Sequence, residues 1–129
     1  MKGEVYKAVL GAHLDPYLGY LHSIQFAKPS LVCDIQEIFR ASIEEFLIKY
    51  HQNLEPESFE QNGKRIFLKP NEKLKIILEI NRLFKRKVPY RRRNYSKTTT
   101  IRTVIKEEPI KLAQYIRGNK AIYKPITKV

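Results

Sequence analysis

Apolar residues recur at spacings of three and four along much of this chain. Leu31, Val32, Ile35, Phe39, Ile43, Phe46 and Tyr50 make a broad stripe over about twenty residues, the period of a helix with one buried face. Pro29 and Ser30 suit its first turn. Asn53, Pro56 and Ser58 break the pattern over 52–58, and Phe59 to Lys69 then reads as a short hairpin turning at Asn62-Gly63. A further helix is expected from Pro70, with Leu74, Ile77, Ile80 and Phe84 inward. Residues 88–95, with Pro89, read as a basic connection. The last helical pattern follows Ser96, a candidate N-cap, and carries Ile101, Val104, Ile105, Leu112, Tyr115 and Ile116 to a stop at Gly118. Pro109 is expected to kink or split it. Val5, Tyr6, Val9 and Leu10 resemble the end of an amphipathic helix whose start is missing, so Met1 is read as lying inside an element and the chain as truncated. The fold class expected is mainly α: a helical bundle with one short β-hairpin near 59–69.

Charge sharpens this picture. The 129 residues, enough for one domain, carry a net +12, but residues 1–60 sum to −4 and residues 61–129 to +16. Ten Lys and Arg and no acid lie between Arg82 and Lys106. A solvated helix face mixes its signs, whereas a one-signed stretch with interleaved Tyr90, Tyr95 and Thr98 to Thr100 suits phosphate contacts. Nucleic-acid binding is the reading this favours over a basic protein-binding surface. The single Cys33 excludes an intrachain disulfide scaffold, and no apolar run reaches the roughly 20 residues that span a bilayer. A reducing cytoplasm and no membrane are therefore expected.

Motifs for zincins, zinc ribbons, P-loops and dinucleotide folds are absent from the sequence. What remains is His22, closing the string LDPYLGYLH, and the acids Asp34 and Glu37 in KPSLVCDIQEIFR. Three residues apart on one helix, the two carboxylates share a flank at the edge of the apolar stripe. Two carboxylates and an imidazole suit magnesium or manganese, which activate water or a 3′-hydroxyl toward a phosphate. A bare pair at this spacing is more often two solvated helix acids, and a lone histidine is more often a packing or capping residue. His13 and His51 have no acids at useful spacing and read as structural; Cys33 reads as a small core residue.

The strings LDPYLGYLH, KPSLVCDIQEIFR and RRRNYSKTTTIRT, in that order, resemble the CRISPR-associated integrase, the endonuclease of spacer acquisition. The likeness covers essentially the whole chain, corresponds to that family's C-terminal helical catalytic domain, and looks closest to archaeal, type I-like members. It implies a divalent-metal-dependent enzyme, using Mg2+ or Mn2+, that joins foreign DNA ends into the CRISPR array by attack of a 3′-hydroxyl on a phosphodiester. His22 and Glu37 match the metal ligands, with Asp34 a supporting base or orienting group in the catalytic set. The family's first ligand, a glutamate well upstream, and its N-terminal β-rich dimerisation domain have no counterpart after Met1, and Glu4 falls in the wrong place. With two of three ligands, metal binding is expected to be weak. Implied partners are double-stranded DNA (CRISPR repeat and spacer precursor), the small ferredoxin-like partner nuclease of the acquisition complex, and a second copy in a homodimer. Lys28, Arg40, Arg91, Arg92, Arg93, Lys97 and Arg102 are the expected DNA-binding residues, Arg40 alternatively pairing with Glu44. The other reading is a catalytically inactive helical nucleic-acid-binding fragment.

Overall fold

The longest predicted helix forms where its stripe placed it. The structure, a computed structural model, describes residues 1–92 and 95–126, with the backbone alone for 91–92 and 95–97. Its elements are α1 (Lys2–Gly11), α2 (Ser30–Tyr50), β1 (Phe59–Asn62), β2 (Arg65–Leu68), α3 (Pro70–Lys85), β3 (Lys87–Arg92), β4 (Tyr95–Thr100) and α4 (Ile101–Ile116), with two short 3-10 turns between α2 and β1. The mainly α class holds.

The core gathers Val5 and Val9 of α1, Leu31, Val32, Ile35 and Phe39 of α2, Phe84 of α3, Val88 and Tyr90 of β3, and Ile101, Val104, Ile105 and Leu112 of α4. α1 packs on both α2 and α4, and α4 also touches α3 and the second hairpin. Each fully buried aliphatic or aromatic side chain here is worth roughly 1.5–3 kcal/mol, so the first half of α2 is its anchor. Beyond Phe39 the stripe of α2 is only partly covered: Ile43, Phe46 and Tyr50 are half-buried.

Six expectations need correcting. The segment 88–95 is not a connection: β3 and β4 form a second antiparallel hairpin, with Val88 opposite Thr99 and Tyr90 opposite Lys97. Val88 and Tyr90 are buried while Lys87 and Pro89 face out, a period of two masked in sequence by the proline and the charges. A two-stranded sheet has only edges, where proline is tolerated. The first hairpin turns one residue later than expected, Asn62 pairing with Arg65 across Gly63 and Lys64; Gly63 takes the left-handed conformation, φ +62°, that this tight loop demands. In α3, Leu74 and Ile77 point outward, 62% and 53% exposed, and only the end of the helix reaches the core at Phe84.

In α4 the cap is Thr100, not Ser96: its Oγ1 accepts the backbone N–H of Thr103 at 3.2 Å, because the residues before it are strand. The helix is not split at Pro109 but continuous through it. The ring lies fully buried on the core-facing stripe, which offsets part of the roughly 3 kcal/mol an internal proline costs. Tyr115 and Ile116, expected inward, are exposed. Gly118 follows the helix end with φ +76°, as a helix stop does.

Candidate functional site

The site grows from the segment joining α1 to α2. α1 stops at Ala12 and His13, the latter exposed and left-handed at φ +57°, so its role is to end a helix. Asp15 Oδ1 accepts the N–H of Tyr17 at 2.9 Å, turning the chain back, and the Pro16 carbonyl accepts the N–H of Leu31 at 3.0 Å. Gly19 then passes directly under the first turn of α2. A Cβ there would meet Ser30 Cβ at 2.7 Å and Asp34 Oδ2 at 2.8 Å, so glycine is required for the approach.

Asp34 is the hub. Its Oδ2 accepts the N–H of Tyr20 at 2.8 Å and of Leu21 at 3.2 Å; its Oδ1 accepts the N–H of His22 at 3.0 Å and lies 2.6 Å from His22 Nδ1. The Asp34 side chain is 1% exposed and that of His22 32%. Burial pushes the Asp34 carboxyl pKa upward, but the hydrogen bonds from His22 and the three backbone amides outweigh it and hold the group below the ordinary aspartate value. An ionised carboxylate only accepts, so Nδ1 must carry the proton, and the Nδ1–H tautomer of the ring has its lone pair on Nε2. This arrangement orients a histidine for a metal or a proton.

Both oxygens of Asp34 are thus occupied, each by two donors. Glu37, one turn along α2, has a carboxylate 42% exposed that accepts from Arg40 at 3.1 and 3.3 Å. Arg40 also donates to Glu44 at 2.7 Å, so the Glu44 pairing weighed from sequence is present together with one to Glu37. Asp34 and Glu37 line an open cavity of about 460 Å³ together with Leu112, Tyr115 and Tyr123. By chemistry the residues that could hold a hard or borderline cation are His22, through Nε2, and Glu37, through its carboxylate. Among the described residues no group of three or more His, Cys, Asp or Glu side chains converges.

The expected DNA-binding residues divide. Arg102 bridges three helices, donating to Glu4 at 3.0 Å and Asn81 at 3.1 Å, and is half-buried. Lys28 is half-buried beside the site. The side chains of Arg91, Arg92 and Lys97, and all of Arg93, lie outside the described residues.

Sequence reasoning missed Glu108. Fully buried on α4, it accepts from Lys111 at 2.5 Å and from the phenols of Tyr90 and Tyr123, both at 3.3 Å, tying β3 and the C-terminal segment to the helix. Burial, then the Glu108 charge, pushes the Tyr123 phenol pKa far up, keeping it a donor. The signal was present: Glu108 follows Val104 and precedes Leu112 at intervals of four, an acid on the apolar stripe.

A model of the family described as CRISPR associated protein Cas1 matches residues 1–82. The CRISPR-associated endonuclease Cas1 of Korarchaeum cryptofilum is 37% identical over 62 residues, 48% of this chain and 18% of that protein. One from Archaeoglobus fulgidus is 32% identical over 102 residues, 76% of this chain and 29% of its own length. Among solved structures, a casposase bound to integration product is 28% identical with TM-score 0.83, covering 99% of this chain and 38% of that one. A Cas1 protein from Thermotoga maritima, 22% identical with TM-score 0.76, covers 94% of this chain and 38% of its own; it shows the same fold. The chain spans under two fifths of the length of each.

Proposed function

This chain belongs to the CRISPR-associated protein Cas1 family, and from that membership we propose that it is the C-terminal helical catalytic domain of a metal-dependent DNA endonuclease and integrase of CRISPR spacer acquisition. The observation that carries this reading is the buried Asp34 carboxylate locking the loop 20–22 and the His22 ring, with Glu37 one turn away on the same helix. Burying a carboxylate merely to close a loop is costly; aiming a neutral imidazole is a use that repays it.

His22, through Nε2, and Glu37, through its carboxylate, would hold Mg2+ or Mn2+. When bound, the ion supplies charge neutralisation at a phosphate and favours attack by water or a 3′-hydroxyl on the phosphodiester. Asp34 keeps Nδ1 protonated. Arg40 balances Glu37 and stands within reach of a phosphate beside it.

Double-stranded DNA, the CRISPR repeat and spacer precursor, is the substrate. Its support is the net +16 of residues 61–129 and the similar casposase solved bound to integration product. Arg91, Arg92, Arg93 and Lys97, with Lys28, contact the backbone. The small ferredoxin-like partner nuclease and a second copy of the chain complete the assembly, in the cytoplasm; no described helix is long and apolar enough to cross a membrane.

The test is manganese binding by calorimetry and plasmid nicking, in the longest reading frame that carries these residues. His22→Ala and Glu37→Ala are each expected to lose both. If both variants nick with unchanged metal dependence, the constellation is structural and the chain is a non-catalytic nucleic-acid-binding module.

A further inference from the structure

Between the end of α2 and the middle of α3 the fold leaves a groove of about 320 Å³. Tyr50 and Asn53 line one side of it, and Lys75, Leu78, Glu79 and Arg82 the other. α3 carries two apolar faces. Ile80, Leu83 and Phe84 share the side turned to the core, whereas Leu74, Ile77 and Leu78 share a second side, with Leu78 61% exposed at the groove. α2 ends in the same state. Its stripe is only half-buried at Phe46 and Tyr50, whose rings pack on each other with centroids 5.5 Å apart. Leaving such side chains in water forgoes the burial that holds the rest of the domain, and apolar clusters of this kind mark interaction surfaces.

Shape and charge together select the occupant. Lys75, Leu78 and Arg82 follow one another at intervals of three and four, so the leucine lies between two cations along one line of the helix. The side chains of Lys75 and Arg82 are 62% and 77% exposed. The acids that hold them, Glu72 at 2.7 Å and Glu79 at 2.5 Å, are 16% and 37% exposed and sit further round the helix, away from Leu74 and Leu78. An ammonium has three donors and a guanidinium five, so each cation keeps donors to spare. A groove between two helices takes a third, which lays its side chains between theirs. An anionic membrane is flat and does not reach into a groove; duplex DNA would set phosphates, not aliphatic groups, against Leu78, and would bring them beside Glu79. We infer that this groove binds an amphipathic helix of another protein, with an apolar residue seated on Leu78 against Tyr50 and acidic residues about 10 Å apart along that helix paired with Lys75 and Arg82. Tyr50 stands about 20 Å of helix beyond Glu37, so this docking site is separate from the His22–Glu37 site and does not depend on the DNA reading.

The probe is a fluorescein-labelled helical peptide about four turns long, with a leucine stripe flanked by glutamates. Its counterpart carries lysine in place of each glutamate. Fluorescence anisotropy with the full chain is expected to show saturable binding of the glutamate peptide, and binding of the lysine peptide weaker by about tenfold or more. Leu78→Ser is expected to weaken the glutamate peptide about tenfold. Lys75→Glu combined with Arg82→Glu is expected to reverse the preference, so that the lysine peptide binds better. Leu78 is exposed, so Leu78→Ser should keep the wild-type melting temperature, and a binding loss is then a loss of the docking face. If neither peptide binds, if both bind alike, or if Leu78→Ser binds as the wild type does, the inference is overturned. Three further outcomes overturn it by naming another occupant, each detected as a signal that Leu78→Ser abolishes. These are sedimentation of the wild type as a dimer, retention on phosphatidylglycerol vesicles, and binding of duplex DNA.

Discussion

Replacing Asp34 by asparagine changes one oxygen to NH2 and probes the site with almost no change in volume. In the native protein four donors converge on this carboxylate: the amides of Tyr20, Leu21 and His22 and the His22 ring. An asparagine can present its oxygen to one pair only. If it keeps Tyr20 and Leu21, its NH2 faces the His22 amide, and the ring must move away or turn Nδ1 into an acceptor, which places the proton on Nε2. Two bonds to a charged acceptor are lost, each worth about 1.5–3 kcal/mol, and part is recovered by rearrangement. A net loss of about 2–4 kcal/mol follows, or about 10 °C in Tm for a domain of this size. The assays are thermal unfolding by circular dichroism, amide exchange at residues 20–22, and nitrogen chemical shifts of the His22 ring. Exchange should accelerate at those amides first, and the ring should leave the Nδ1–H tautomer. An unchanged Tm with native protection at 20–22 would refute both the hub role of Asp34 and the histidine orientation derived from it.

The same group sets an acid limb. The folded-state pKa of Asp34 is depressed, so its stabilisation is complete above the unfolded value of about 3.9 and is lost as pH falls through the lower folded value. Melting temperatures measured downward from pH 6 should drop in that window in the wild type and more gently in Asp34→Asn. Gly19→Ala places a Cβ 2.7 Å from Ser30 Cβ and should cost about 1–3 kcal/mol, read by denaturant titration, with Gly3→Ala, in open space, as the neutral control. Glu108→Ala leaves Lys111 without its acceptor and two phenols without theirs; a loss of about 3–5 kcal/mol is expected, with faster proteolysis of residues 119–126 than of the core. For duplex DNA, replacing Arg91, Arg92 and Arg93 together should flatten the plot of log affinity against log salt by about two to three units.

Much of this protein was legible in one dimension. The α2 stripe, the first hairpin, the stop at Gly118 and the ordered strings around His22 and Asp34 are local patterns, and a local pattern needs no neighbour to be read. Helix period follows from backbone geometry, and a two-residue turn from what glycine alone can adopt. Even the trio His22, Asp34 and Glu37 could be picked out, and the family resemblance, though not spacing, set Asp34 apart as a supporting group. Spacing made Asp34 and Glu37 equivalent acids on a flank. Only the path of the chain from Ala12 to Pro29, folded back so that three amides and a ring meet one carboxylate, made Asp34 a buried hub and left Glu37 exposed.

The same dependence on distant partners explains the other misreadings. Leu74 and Ile77 have the period of a buried face, but α3 meets the core only at its end. Val88 and Tyr90 have the alternation of a strand, but Pro89 and the arginines hid it until β4 supplied the ladder. Glu108 sits at a core position and is tolerated there because Tyr90, Tyr123 and Lys111, brought from separate elements, satisfy it. Periodicity states which residues share a face; whether that face is buried, and whether a buried charge is answered, is decided by contacts between residues far apart in the chain, and only the folded arrangement contains those.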